Sequence, residues 1–306
     1  MEQVIVQQLV NWLVLASIYT LLAIGFSLLF GVLDIVHFSH GDVSLVAPFV
    51  ALAVLQALLA SAVGLDSGLM LLLACLIAVA AIGALGVVIE KLVIRPFATA
   101  PSLMVLVTTV ALGIVLRELI RHVFPEGSNP HAFPSPLGAT ALWLAGVPVS
   151  WFVLLDLGLT LLLLIAIFAF LRFTPLGICI RAVAQDREAA MMMGIDAAKT
   201  FRATFFVASA IGAIAGLFFA THVGVVRFDF GILAGLMGFS AAVVGGLGSV
   251  FGAVIGGLLL GGIETIAQAV VPGGTAYRQV FAFLLVILFL VFKPSGILGR
   301  QVVEKV

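Results

Sequence analysis

The chain has 306 residues, of which 63% are hydrophobic and 9% charged, with a mean hydropathy of +1.34; soluble domains hold roughly 45–50% apolar residues. Fourteen basic residues balance fourteen acidic ones and there are two cysteines, which excludes a disordered chain, a disulfide scaffold and a nucleic-acid binder. What remains is an integral membrane protein without room for a separate soluble domain, because a spanning helix takes about 20 residues and nine of them would use about 180 positions.

The apolar runs are too long and continuous for the alternating pattern of an outer-membrane barrel, so the backbone must be satisfied within helices. Read against charges and Gly/Pro punctuation, they predict spans near 7–30, 43–63, 69–92, 101–120, 151–172, 201–221, 231–247, 251–271 and 278–292. The expectation is one all-α polytopic transmembrane domain over residues 1–306, with about eight or nine helices and broken or re-entrant segments near 31–42 and 231–250. Met1 to Trp12 contains no lysine or arginine, and Lys91 is the first basic residue, so a cleavable signal peptide is not expected. With nine spans and the amino terminus outside, Lys91, Arg95, Arg172, Arg181, Arg187, Lys199, Arg202, Lys293, Arg300 and Lys305 fall inside. Arg117, Arg121, Arg227 and Arg278 fall outside, a distribution that follows the positive-inside tendency. A re-entrant 231–247 would instead leave eight spans and an external carboxyl terminus.

Between the first two spans, Gly31 and Gly41 frame Asp34, His37, Ser39 and His40, with Asp42 immediately after. Ser39-x-x-Asp42 before an apolar run has the spacing of a capping box for the second span. A break in helical backbone survives in hydrocarbon only where protein or a water-filled cavity satisfies it. These polar residues are therefore either structural caps or pathway lining that touches solute. No further Cys or His pairs in sequence with His37 and His40, so no metal site is assigned.

After the fourth span, residues 121–150 carry Pro125, Pro130, Pro134, Pro136 and Pro148 with Gly127, Gly138 and Gly146, which predicts an irregular external loop on the membrane surface. After the fifth, residues 173–200 are the most charged stretch, with Arg181, Asp186, Arg187, Glu188, Asp196 and Lys199. There Pro175 and Gly177 break the preceding helix, and Arg181 to Met193 reads as a short helix ended by Gly194. In the late spans, Ala208, Gly212, Gly216 and Ala220, then Gly248, Gly252 and Gly256, then Gly257 and Gly261, repeat at a spacing that lets helix backbones approach closely in lipid. Glu264 shares a face with Gly257, Gly261 and Gln268. An intramembrane carboxylate is costly unless paired or wet, so Glu264 either serves a pathway or gate, or hydrogen-bonds a broken helix.

Three strings carry a resemblance. Glu188-Ala189-Ala190-Met191-Met192-Met193-Gly194 resembles the cytoplasmic loop by which ABC-importer permeases dock on their ATPase subunit, without the Ile-x-Leu-Pro tail that often follows it. Gly31 to Asp42 resembles the (I/V)NFAHG(E/D) region of branched-chain amino-acid permeases, with His37 in place of the usual asparagine. Val244-Gly245-Gly246-Leu247-Gly248-Ser249 and the residues up to Gly257 resemble that family's Gly-Gly-x-Gly-Ser-x-x-Gly segment. In chain order, Gly31 to Asp42, Glu188 to Gly194 and Val244 to Gly257 follow the family's order, the similarity covers nearly the whole chain, and it is to the smaller, LivH-type subunit.

The resemblance implies a multi-pass protein of the bacterial inner membrane, surrounded by lipid and paired with a second, LivM-like permease subunit. Two cytoplasmic ATPase subunits would bind ATP and Mg, this chain carrying no cofactor of its own, and a periplasmic solute-binding protein would deliver branched-chain or related amino acids. It also implies that Arg181, Asp186, Arg187, Glu188, Ala189, Ala190 and Gly194 form the ATPase-coupling loop. Gly245, Gly246, Gly248 and Ser249 join the helix-break or pathway residues. The sequence itself holds no G-x-x-x-x-G-K-[ST] phosphate loop and neither H-E-x-x-H nor G-x-S-x-G, so it is not expected to be an enzyme. The alternative is a self-contained secondary transporter or channel, which would need more intramembrane ionisable groups than Glu264 and the Asp34 to Asp42 break offer.

Overall fold

A computed structural model describes residues 2–61, 66–97, 100–135, 139–271 and 273–299. Pro136, Gly138, Arg300 and Lys305 lie outside the described residues, as does the side chain of Arg278. The chain forms α1 (Glu2–Leu33), α2 (His40–Ala60), α3 (Ser67–Ile89), α4 (Ser102–Val123), α5 (Trp151–Phe173), α6 (Pro175–Gln185), α7 (Arg187–Met192), α8 (Ala197–Val223), α9 (Phe230–Gly245), α10 (Val250–Val270) and α11 (Gly274–Phe292). Among the described residues, seven helices are long and apolar enough to cross a membrane. Two more are apolar but shorter, α9 and the described part of α11, Gln279–Phe292. Each of the nine expected spans thus coincides with a helix, within a few residues at its ends.

α1 is the hub, packed against α8, α9 and α10, while α4 and α5 lie at the periphery with most of their apolar side chains facing outward. Because lipid tails are as apolar as leucine, the hub is drawn together by close backbone contact rather than by hydrophobic exclusion. A side chain on Gly257 or Gly261 of α10 would strike the backbone of α1 at Thr20 and Ala16, and Trp12 Nε1 donates to the Leu258 carbonyl at 2.8 Å.

The two breaks place helix starts inside the bundle. α1 ends at Asp34, which adopts a left-handed φ of 57° while its N–H donates to the Phe30 carbonyl. The next six residues then double back along α1, so that His40, which opens α2, lies against Gly25, eight residues before the end of α1 and about 12 Å deeper. α9 begins in the same layer, with Gly231 against Asp42 and Gly235 against Gly41. Its 16 residues extend only about 24 Å, short of the roughly 30 Å hydrocarbon thickness.

α9 nonetheless joins two ends of the bundle. Its approach, Val225–Val226, pairs antiparallel with His131–Ala132 of the 121–150 segment, whereas its far end meets the carboxyl-terminal stretch through Ile297 N–H to Val244 O and Leu298 N–H to Gly245 O. The described carboxyl-terminal residues therefore sit at the same end as α6 and α7.

Two expectations need correction. The 121–150 segment is not wholly irregular: Thr140–Leu144 and Val147–Ser150 form a hairpin closed by Ala145 and Gly146 at φ of 49° and 80°, the double left-handed turn whose twist suits tight hairpins. The short helix expected from Arg181 to Met193 is instead two, α6 and α7, separated at Asp186. Its extended backbone lets its carboxylate accept the Ala189 N–H at 2.9 Å as a new amino-terminal cap.

Candidate functional site

Two sites emerge, one buried at the helix breaks and one exposed on α6 and α7. In the buried one, α1, α2, α4, α8 and α9 converge. His40 is 0% exposed and is held in a slot between Gly25 of α1 and Gly212 of α8, where any side chain would strike its ring. Phe26 meets the ring edge-on at 4.9 Å. His37 is also buried, with Ser39 Oγ 3.2 Å from its Nε2 and Phe205 edge-on at 5.5 Å. Neither ring nitrogen of His40, nor Nδ1 of His37, has a hydrogen-bond partner among the described residues.

Asp42 points away from this pair, toward Arg117 of α4, whose Nη1 lies 3.3 Å from Oδ1 and 3.4 Å from Oδ2. Gly113 of α4 and Gly231 of α9 leave room for the carboxylate. The expected capping box therefore does not form. Ser39 does precede the first residue of α2, but its hydroxyl turns to His37 and makes no cap, and Asp42 is taken by a guanidinium. In a dry interior a carboxylate gains more from a paired cation than from one backbone N–H. Arg117 is correspondingly part of the bundle rather than a surface charge at the outer end. A second link joins α4 to the break, with the Phe38 N–H donating to Thr109 Oγ1 at 3.3 Å. Asp34 is exposed at the end of α1 and does not join the buried group.

The glycine segment forms a corner rather than part of this cluster. Gly245 packs on the backbone of Gly252, Gly246 adopts a φ of 108° beside Gly299, Gly248 faces Gly31, and Ser249 caps α10 by accepting the Gly252 N–H at 3.0 Å. Glu264 is 1% exposed, between α10 and α1, and accepts a 2.6 Å hydrogen bond from Tyr19 Oη. Gln268 is half-buried one turn further along.

The exposed site has opposite chemistry. Ala190 is buried among Val32 at the end of α1, Ile180 and Val183 of α6 and Phe201 at the start of α8. Arg181, Asp186, Arg187, Glu188, Ala189 and Gly194 are exposed, and Met192 and Met193 project at 86% and 84% exposure. Arg187 lies over the Phe201 ring at 4.8 Å, and Gly194, at a φ of 84°, turns the chain toward α8. Asp196 caps α8 by accepting the Lys199 N–H at 3.0 Å; that bond, with the nearby Lys199 and Arg202 charges, holds its carboxyl below the usual range.

Two charged groups escaped the sequence reading. Asp156 of α5 is 0% exposed and accepts a 2.6 Å hydrogen bond from Ser17 of α1, leaving its other oxygen and the neighbouring Thr160 hydroxyl without partners among the described residues. A lone carboxylate in the apolar run 151–172 was itself the signal. Glu90 is buried at the inner end of α3, where one π-helical turn, Glu90–Ile94, brings Arg95 round to bind both carboxylate oxygens at 2.8 to 3.1 Å. Among the described residues no group of three His, Cys, Asp or Glu side chains could hold a metal ion.

Comparison with known proteins adds an independent line. Residues 8–290 match the family described as Branched-chain amino acid transport system / permease component. The high-affinity branched-chain amino acid transport system permease protein LivH of Escherichia coli K12 is 33% identical over 98% of this chain and 97% of its own length. The corresponding BraD of Pseudomonas aeruginosa is 34% identical over the same shares. Among solved structures, PsaBC from Streptococcus pneumoniae in complex with Fab superposes on 93% of this chain and 91% of its own, at 14% identity and a TM-score of 0.46.

Proposed function

Because this chain belongs to the family of branched-chain amino acid transport permeases, and is thus a non-catalytic membrane subunit, we propose that it translocates leucine, isoleucine, valine or close relatives through an ATP-driven importer. Its partners in this reading are a second, LivM-like permease, two cytoplasmic ATPases that bind ATP and Mg, and a periplasmic binding protein that delivers the solute.

The observation that carries the coupling half of this reading is the two-faced α7. Its inner face, Ala190, is packed onto α1, α6 and α8, while Met192 and Met193 stand free with charges at their flanks. Flexible, polarisable methionines suit a socket that changes shape, and flanking charges set register at a wet interface. A displacement of α7 acts on Phe201 and Val32 through the buried apolar cluster they share with Ala190, and through them on the two helices that bracket His40 at Gly25 and Gly212. Such a chain of packed contacts connects nucleotide-driven closure outside the membrane to the layer where α2 and α9 begin. The permease itself should bind solute weakly, because a tight site would oppose release.

The test is purification of the tagged chain from native membranes in mild detergent, with mass spectrometry of its companions. The importer reading expects two ATPases and a second permease. The chain alone, still moving solute in vesicles without ATP, would overturn it.

A further inference from the structure

At the inner end of the bundle, α3, α6 and α8 leave a groove of about 430 Å³ lined by Val87, Leu176, Ala203, Phe206 and Val207, with Lys199 and Arg202 at its rim. The floor is apolar. Arg202 is held upright by its own Nε, which donates to the Ala198 carbonyl at 3.2 Å, and its terminal amino groups donate no hydrogen bond to the described protein. Lys199 Nζ lies 3.7 Å from Asp196, a long contact, and that carboxylate is already engaged by the Lys199 N–H. The rim thus keeps a net positive charge and unspent donors, close to the positive first turn of α8.

We propose that an anionic phospholipid of the cytoplasmic leaflet occupies this groove, its headgroup phosphate on Lys199 and Arg202 and an acyl chain along Val87, Leu176 and Phe206. The arrangement matches what such a lipid requires: cations at the rim, directly continuous with an open apolar groove. Basic pockets between spans on the cytoplasmic side are a recurrent form of lipid recognition, and each basic residue near an anionic surface strengthens binding. A soluble anion would use the rim and leave the apolar floor idle. The inference rests on the orientation of the proposed importer, which puts α6 and α7 in the cytoplasm, and it places the lipid where it would brace α6 against α8.

The experiment is native mass spectrometry of the delipidated complex titrated with phosphatidylglycerol or with zwitterionic phosphatidylcholine. Retention of phosphatidylglycerol should exceed that of phosphatidylcholine and fall about tenfold in the double variant Lys199→Gln with Arg202→Gln. Ala203→Phe, which fills the groove and leaves both charges, should lower it as well. Equal retention of the two lipids, or wild-type retention in both variants, overturns the site. So does loss of the ATPases from the double variant with lipid retention intact, because the cations would then belong to a protein interface. Failure of the importer reading is read separately, as absence of ATPases from the wild-type preparation.

Discussion

The centre and the rim of this bundle are held by different forces. α1, α2, α8, α9 and α10 approach through glycines, so that Gly257 lies on the α1 backbone and Gly41 of α2 on Gly235 of α9. α4 and α5 have almost no such contacts, and each is fastened to the centre by polar links: Arg117 to Asp42 and Thr109 to Phe38 for α4, Asp156 to Ser17 for α5. In lipid an apolar helix gains little from leaving its surroundings, so a peripheral helix needs either close packing or a polar pin. The centre is consequently a stiff block, whereas α4 and α5 are attached at points and can change position by exchanging few contacts.

The largest effect should come from breaking the α4 pin from one side. Arg117→Leu leaves Asp42 buried without its cation and should cost about 3 to 5 kcal/mol, read as loss of monodisperse protein in detergent. Adding Asp42→Leu should recover much of that, since the unpaired charge, not the missing contact, dominates the loss; no recovery would mean the pair does more than fasten. In the centre, Gly41→Val forces a side chain into the backbone of Gly235 and should cost about 1 to 3 kcal/mol by thermal unfolding, with no polar substitution able to relieve it. For α5, a double-mutant cycle between Ser17→Ala and Asp156→Leu should give a coupling of about 0.6 kcal/mol, with about 1.7 as its ceiling. A coupling near zero would show that α5 is held by something other than this bond. Smallest in stability is Glu188→Lys on α7, expected within about 0.5 kcal/mol of the parent because the side chain is exposed. It should nevertheless weaken ATPase association, measured by co-purification.

The contrast also explains what could be read in advance. Each span was legible because about 20 consecutive apolar residues specify a helix without reference to any partner. The depth at which a helix begins was not legible. Nothing local to Ser39 and Asp42 reveals that Asp42 is claimed by Arg117, 75 residues away, so a local capping box was the natural misreading. The partner of Asp156 is 139 residues distant, although the carboxylate itself stood out in an apolar run. The hairpin at Ala145 and Gly146 was obscured by the prolines around it. By contrast the exposure of Glu188 and the turn at Gly194 follow from a short, local string, and there sequence and structure agree. Burial of Ala190 under that string is a tertiary fact and emerges only with α1 and α8 in place.

The most direct test of the account is ATP-driven uptake of radiolabelled leucine into vesicles holding the full complex, with Met192→Asp and Met193→Asp introduced together. Both side chains are exposed and touch none of the packed core, so the permease should remain folded at its normal yield. Met192 and Met193 are proposed to seat α7 in the ATPase, so uptake should fall at least about tenfold, with the ATPases lost or their hydrolysis no longer stimulated by the loaded binding protein. Normal uptake with two buried carboxylates in that socket would contradict the claim that α7 transmits the work of ATP hydrolysis to this chain.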